Sequence, residues 1–261
     1  MPRRTDRIST HQITELSSSQ TAAIDTYKTK WHSILINNQT KPIEHTIATE
    51  SIESIYQAAN FNKPQIFFFD NPFLAIKELI DTQNFKAVLG KGIDTKLIKR
   101  TYEHNNNLVN RQLTNVVFNQ LVNYIIFAEY PRLLPNNCTL YFPSNVSLYI
   151  SQHLEKDFYK LGCDYIDRSY FIQNILRPLD LINNVCRLDF CIDYLKLQHD
   201  KKKWEVLQDL VLHGGLMFAF EKVCMLCDRP TKMVFSNNQF MNIDNKIEII
   251  YPGEYKISSN I

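Results

Sequence analysis

Glycine is scarce in this chain: there are six among 261 residues, and only Gly90 with Gly92 and Gly214 with Gly215 stand close together. A phosphate-cradling loop needs glycines near one another so that backbone N–H groups can approach oxygens. LGKG at 89–92 has neither the Walker spacing nor the dinucleotide fingerprint, and reads as a helix stop and a turn. Charge of one sign is also lacking. Twenty-nine Lys and Arg against 27 Asp and Glu leave a formal +2, too balanced to call for nucleic acid or a membrane surface. Long apolar runs are absent too, since IFFF at 66–69 and YIIFA at 124–128 fall far short of the roughly 20 residues a spanning helix needs. The N-terminal MPRRTDRISTHQITELSSSQ has no apolar h-region, which argues against a secretory signal or anchor. Residues 1–18 are therefore expected to be a flexible basic arm ahead of a single domain over 19–261. In a soluble, cytoplasmic protein the six cysteines are expected to be reduced thiols, not a disulfide scaffold.

What the chain does have is apolar surface. With 44% hydrophobic and 12% aromatic residues it can bury a substantial core. Ile24, Tyr27, Trp31, Ile34 and Leu35 draw one helical stripe, with Ser17 to Ser19 offering an N-cap. Ile52, Ile55, Tyr56 and Ala59 draw a second, which ends near Asn60. QIFFFD then reads as a buried strand, with Asp70 where the next helix needs its N-cap and Pro72 in the first turn. Val109, Leu113, Val117, Leu121 and Ile125 fall four apart and predict one long amphipathic helix. TLYF at 139–142 suggests a short strand, NVSLYISQHLEKDFYKLG a helix stopped by Gly162, and about 165–176 another helix. VCRLDFCIDYLKL at 185–197 is ambiguous between strand and helix, whereas WEVLQDLVLHGG is a helix ended by Gly214 and Gly215. From Phe218 onward the runs EKVCML, TKMVF, KIEIIY and EYKI, parted by turn signals, predict an antiparallel meander. The expected fold class is α+β: a helix-rich body over about 19–215 with one or two buried strands, and a β-rich C-terminal cap over about 216–261.

Five stretches carry a family likeness: TYKTKWHSI at 26–34, ESIESIYQAANFNKPQIFFFDNP at 50–72, the four-spaced stretch at 113–125, CRLDFCIDYL at 186–195 and GLMFAFEKVCMLCDRP at 215–230. In that order they resemble an unknown-function bacterial domain family, common in cyanobacteria and also seen in actinobacteria, with an FEKVCxxCDRP segment. Where its members have tryptophans this chain has Leu216 and Phe218, and of the members' repeated aspartate-glycine turns it keeps only Pro252-Gly253. A function resting on an aromatic pocket or on those turns is therefore not implied. The resemblance implies a bacterial, cytosolic origin and brings no activity.

The segment EKVCMLCDRP looks most like chemistry. Structural zinc wants four converging ligands, and the other pair, Cys186 and Cys191, is spaced so that neither a strand nor a helix aims both at one ion. His213, at a helix end, more simply serves the last carbonyls. A redox pair should open a helix, but Pro230 and TKMVF point to strand. Cys224 and Cys227 thus read as small core residues, with metal binding as the runner-up; no cofactor is expected. Asp228 and Pro230 suit a turn. Arg229 needs an anion, either an internal carboxylate, with Glu221 and Asp228 nearest in sequence, or a ligand's carboxylate or phosphate. Arg187, Asp189 and Asp193 read as a solvated face or an internal ion pair. Three functions follow. The first is a non-catalytic interaction or regulatory module, with another protein as partner. The second is an enzyme or anionic-ligand sensor gathering Asp70, Asp189, Glu221, Asp228 and Arg229 in one cleft. The third is a weak nucleic-acid binder using Arg3, Arg4, Arg7, Lys99, Arg100 and Arg111.

Overall fold

Apolar periodicity builds most of the helices in the computed structural model, which describes residues 12–81, 85–125, 142–162, 171–236 and 246–258. Helix α1 (Ser18–Asn38) opens on a capping box in which the Ser17 side chain accepts from the Gln20 N–H and the Gln20 side chain accepts from the Ser17 N–H. This satisfies two donors that every helix start leaves open. Residues 12–17 are docked, which corrects that part of the expected arm. The Ile13 N–H donates to Gln112 O at 2.9 Å, Ile13 O accepts from the Thr114 N–H at 3.0 Å, and Ile13 and Leu16 pack on the core. Residues 1–11 lie outside the described residues.

Helix α2 (His45–Ala58) ends before Asn60, whose left-handed φ of 59° turns the chain into strand β1 (Gln65–Phe69). Helix α3 (Pro72–Asp81) follows, capped not by Asp70 but by Asn71, whose Oδ1 accepts from the Leu74 N–H at 3.0 Å. Short helices α4 (Phe85–Leu89) and α5 (Asp94–Arg100) lead to α6 (Tyr102–Asn110) and α7 (Asn115–Tyr124). The single long helix expected over 109–125 is thus two. Thr114 Oγ1 accepts from the Val117 N–H and starts α7 afresh, while Val109, Leu113, Val117, Leu121 and Ile125 still share one core. Spacing alone conceals the break, because both helices and the turn between them present residues to the same core.

Helix α8 (Phe142–Lys160) stops before Gly162. Thr139 to Tyr141 and residues 163–170 lie outside the described residues, and Ile175–Leu176 is strand β2 where helix is expected. The ambiguous 185–197 run is helical in its first part: α9 (Ile182–Asp189) continues into a π-helical turn at Phe190–Tyr194. Helix α10 (Lys201–His213) is capped by Asp200 and ends at Gly214.

The strands form two sheets. One has the order β1-β4-β3-β2, with β3 at Met217–Ala219 and β4 at Val223–Cys227; the other is a meander of β5 (Lys232–Ser236), β6 (Lys246–Ile250) and β7 (Lys256–Ser258). The fold is α+β, with one correction: EKVCML does not join the meander. Strand β4 pairs antiparallel with β3 and parallel with β1, Gln65 opposite Val223 and Phe69 opposite Cys227. The reason is burial. All five β4 residues are withdrawn from water, and a strand apolar on both faces needs cover on both. Cys224 and Leu226 pack with Ile52 and Ile55 of α2, while Val223, Met225 and Cys227 pack with Ile76 of α3 and Phe158 of α8. Strand β1 is an edge strand, not a buried one, and Phe67 is 42% exposed. Among the described residues no helix is long and apolar enough to cross a membrane.

Candidate functional site

Strand β4 delivers Asp228, Arg229 and Pro230 at its carboxyl end, beside the end of β1. The Asp228 N–H donates to Phe69 O at 2.8 Å, extending the parallel pairing by one step. Its Oδ1 accepts from the Arg229 N–H at 2.8 Å and from the Ile43 N–H at 3.0 Å. One carboxylate thus closes the turn and fastens the connection between α1 and α2. Gly215 permits the close approach this requires, because a Cβ there would lie 2.4 Å from Cys227 O and 2.3 Å from Ile43 Cδ1. Pro230, without an N–H, ends the pairing before β5 begins in the other sheet.

Arg229 is 5% exposed. Its Nη2 donates to Leu212 O at 2.9 Å and Gly214 O at 2.7 Å, and its Nε to Gly214 O at 3.2 Å. These carbonyls form the end of α10, where partial negative charge favours a cation. The sequence suggests His213 for that task; Arg229 performs it instead. Of the two sources of an anion open from sequence, an internal carboxylate does not bond its side chain among the described residues. Arg229 forms no ion pair among the described residues, and its Nη1 has no hydrogen-bond partner there. Burial pulls its pKa down to about 10, and the nearby charge of Arg177 adds to the effect while Asp228 opposes it. Glu221 is occupied elsewhere, accepting from the Lys91 N–H at 3.2 Å. It closes the LGKG turn, where Gly90 takes φ +78° with the Glu221 side chain against it.

Arg229 borders two cavities. The larger is a cleft of about 460 Å³ between the end of α1, the start of α2 and the end of α10, with Lys41, Glu44 and His213 among its walls. Glu44 is the N-cap residue of α2 but makes no side-chain capping bond. The smaller cavity, about 20 Å³, is lined by Gln39, Arg177, Asp228, Arg229 and Tyr251. Arg177 pairs with Asp180 at 2.9 Å. Burial pushes the Tyr251 phenol pKa up, partly opposed by Arg177.

No family model matches the chain, and no curated protein or solved structure matches it either.

The four candidate acids and Arg229 do not gather in one place. Asp228 and Arg229 line the small cavity and Arg229 alone reaches the cleft; Asp70, Asp189 and Glu221 line neither. Asp70 is exposed. Asp189 is buried, with Oδ2 accepting from Trp31 Nε1 at 2.8 Å and from Lys30 Nζ at 2.7 Å. Its contact with Lys30 is an internal ion pair, one of the two readings open from sequence, and it joins α9 to α1. Asp193 accepts from the Tyr27 hydroxyl, and that bond holds its carboxyl below the usual range. Cys224 and Cys227, three apart on a strand, point to opposite faces and belong to different cores, so the strand cannot aim both at one ion. Burial pushes the Cys224 thiol up to about 12. Lys41, Glu44, Arg177 and Tyr251 are site residues that sequence reading misses. The polar run NNQTKPIE between two helices was the only local signal for the first two, and nothing local marks the others.

Proposed function

We propose that the chain is a non-catalytic binding or regulatory module of the bacterial cytosol that takes a small anionic ligand at the Arg229 cleft. One observation carries this reading. Arg229 is a nearly buried guanidinium that borders a cleft of about 460 Å³ and, among the described residues, has no carboxylate ion pair and no partner for one amino group. Burial costs the guanidinium stability even with Asp228 nearby and carbonyls of the α10 end accepting from it, and an incoming carboxylate or phosphate would reduce that cost. The cleft volume lies in the range of small-molecule sites, and Lys41 adds a second cation. The resemblance of the FEKVCMLCDRP segment to an unknown-function bacterial family is consistent with a cytosolic module.

Two alternatives are less well supported. The enzyme reading needs its acids in one cleft, and Asp70, Asp189 and Glu221 lie outside both cavities. The nucleic-acid reading needs a free basic stripe. Yet Arg100 donates to Ala59 O at 2.7 Å and stacks over Phe61, while Arg3, Arg4 and Arg7 fall outside the described residues.

Thermal melting of the full chain with inorganic phosphate, nucleotides and carboxylates tests the proposal. A ligand at about 100 times its Kd stabilises by roughly 2.7 kcal/mol, and Lys41→Ala should lower that gain without changing the unliganded midpoint. If no anion raises the midpoint, or if Lys41→Ala leaves the gain intact, the site is wrong.

A further inference from the structure

The chemistry of the same cleft narrows the ligand class, an inference that rests on the reading above. Its walls combine two cations, Lys41 and Arg229, with one acid, Glu44, and a run of aliphatic side chains from three elements: Ile34 of α1, Ile47 of α2 and Leu212 of α10. The formal balance of those three charged groups is +1, which matches a monoanion better than a di- or triphosphate. Among the described residues no Phe, Tyr or Trp lines the cleft, where the His213 imidazole is the one ring a nucleobase could stack on. Nor is there a loop of clustered glycines to wrap a phosphate chain. A guanidinium amino group donates a charge-assisted bond to a carboxylate oxygen. Arg229 uses Nε and Nη2 for carbonyls and keeps Nη1, so it can meet a carboxylate oxygen without giving up the end of α10. The aliphatic wall then faces whatever the carboxylate carries.

We infer that the ligand is a free aliphatic monocarboxylate, its head group at Arg229 and Lys41 and its hydrocarbon tail along Ile34, Ile47 and Leu212. The head supplies charge recognition and the tail supplies apolar burial. Binding should therefore depend on both, and tail length should matter in regular steps.

Isothermal titration of the full chain with acetate, butanoate, hexanoate, octanoate and decanoate tests this, alongside octanol, leucine, inorganic phosphate and a nucleoside triphosphate. The expected result is affinity rising about fourfold per added methylene until the aliphatic wall is covered, with octanol binding at least tenfold more weakly than octanoate. Lys41→Ala should weaken every acid by a similar factor, whereas Ile47→Ala should flatten the chain-length series. Both variants alter side chains at the cleft margin, so the folded chain can be compared throughout. Affinity that does not change with chain length would overturn the inference, and so would leucine binding more tightly than hexanoate. Phosphate or the triphosphate binding where the acids do not would also overturn it while leaving the anion-binding reading intact. No binding by any anion would overturn both.

Discussion

Arg187 and Arg229 are almost equally withdrawn from water, at 3% and 5% exposure, yet their surroundings differ in kind. Arg187 sits in α9 with both terminal nitrogens bonded to side chains. Nη1 reaches Asn110 Oδ1 at 3.2 Å, Nη2 reaches Asn106 Oδ1 at 2.6 Å and the Tyr102 hydroxyl at 3.2 Å, and the group stacks over Phe118. It lines neither cavity described above. Arg229 spends only Nε and Nη2, on backbone carbonyls, and opens onto a cleft. Neither has a carboxylate partner among the described residues. Burial and the lack of an ion pair therefore do not by themselves mark a site. A terminal amino group left unbonded, on a side chain that lines a cleft, distinguishes Arg229 from Arg187.

The largest effect expected from this contrast is on stability. Arg187→Ala removes a stacked side chain and the donor to Asn110 Oδ1, although Asn106 Oδ1 keeps its bond from Asn110 Nδ2 at 3.2 Å, and should cost roughly 3 kcal/mol without altering anion affinity. Urea unfolding with parallel calorimetry checks both halves, and lost affinity in a folded Arg187→Ala would erase the distinction. Arg229→Ala should cost less, about 2 kcal/mol, because Leu212 O keeps its bond from Asn38 Nδ2 at 3.1 Å, but it should abolish binding. Equal losses of stability in the two variants, with binding kept in Arg229→Ala, would reverse the assignment.

How far the sequence reaches can be judged from these same residues. The stripes of α1, α2, α8 and α10 and the stops at Gly162 and Gly214 were legible because helix periodicity and glycine caps are local. So was Asp228 as a turn residue. The partners of Arg229 were not. Glu221 and Asp228 are nearest in sequence, but the hairpin of β3 and β4 folds the chain back so that Gly214 and Leu212, fifteen and seventeen residues away, supply the oxygens. The parallel pairing of β1 with β4 joins Gln65 to Val223, a contact no local pattern encodes. Its consequence is that the expected β-rich cap shares a sheet with the body. Asp70 and Asn71 are both good N-cap residues, and propensity cannot choose between them. The cleft itself depends on how three elements converge, so Lys41 and Glu44 carried no mark beyond lying in a polar connection.

A smaller effect concerns a partly buried basic side chain, one that does have an acid beside it. His153 of α8 lies 3.7 Å from Asp157, which also accepts from the Tyr255 hydroxyl at 2.7 Å and from Lys160 at 3.1 Å. Burial lowers the His153 pKa, with Asp157 opposing and Lys160 and Lys156 adding to the effect. The unfolded chain then takes the proton first as pH falls. Stability should be full above the unperturbed value of about 6.5 and decline from there down to the lowered one. Urea midpoints at pH 7.5 and 5.5, in wild type and His153→Gln, measure it. A decline of the same size in His153→Gln would assign it elsewhere.

The contrast between the two arginines can be read directly from their side-chain Nε–H signals in a ¹⁵N-correlated NMR spectrum of the full chain during titration with octanoate. The account predicts that the Arg229 signal moves saturably while the Arg187 signal stays in place. An Arg229 signal that does not move, with octanoate or with phosphate, would contradict the claim that its free amino group waits for an anion.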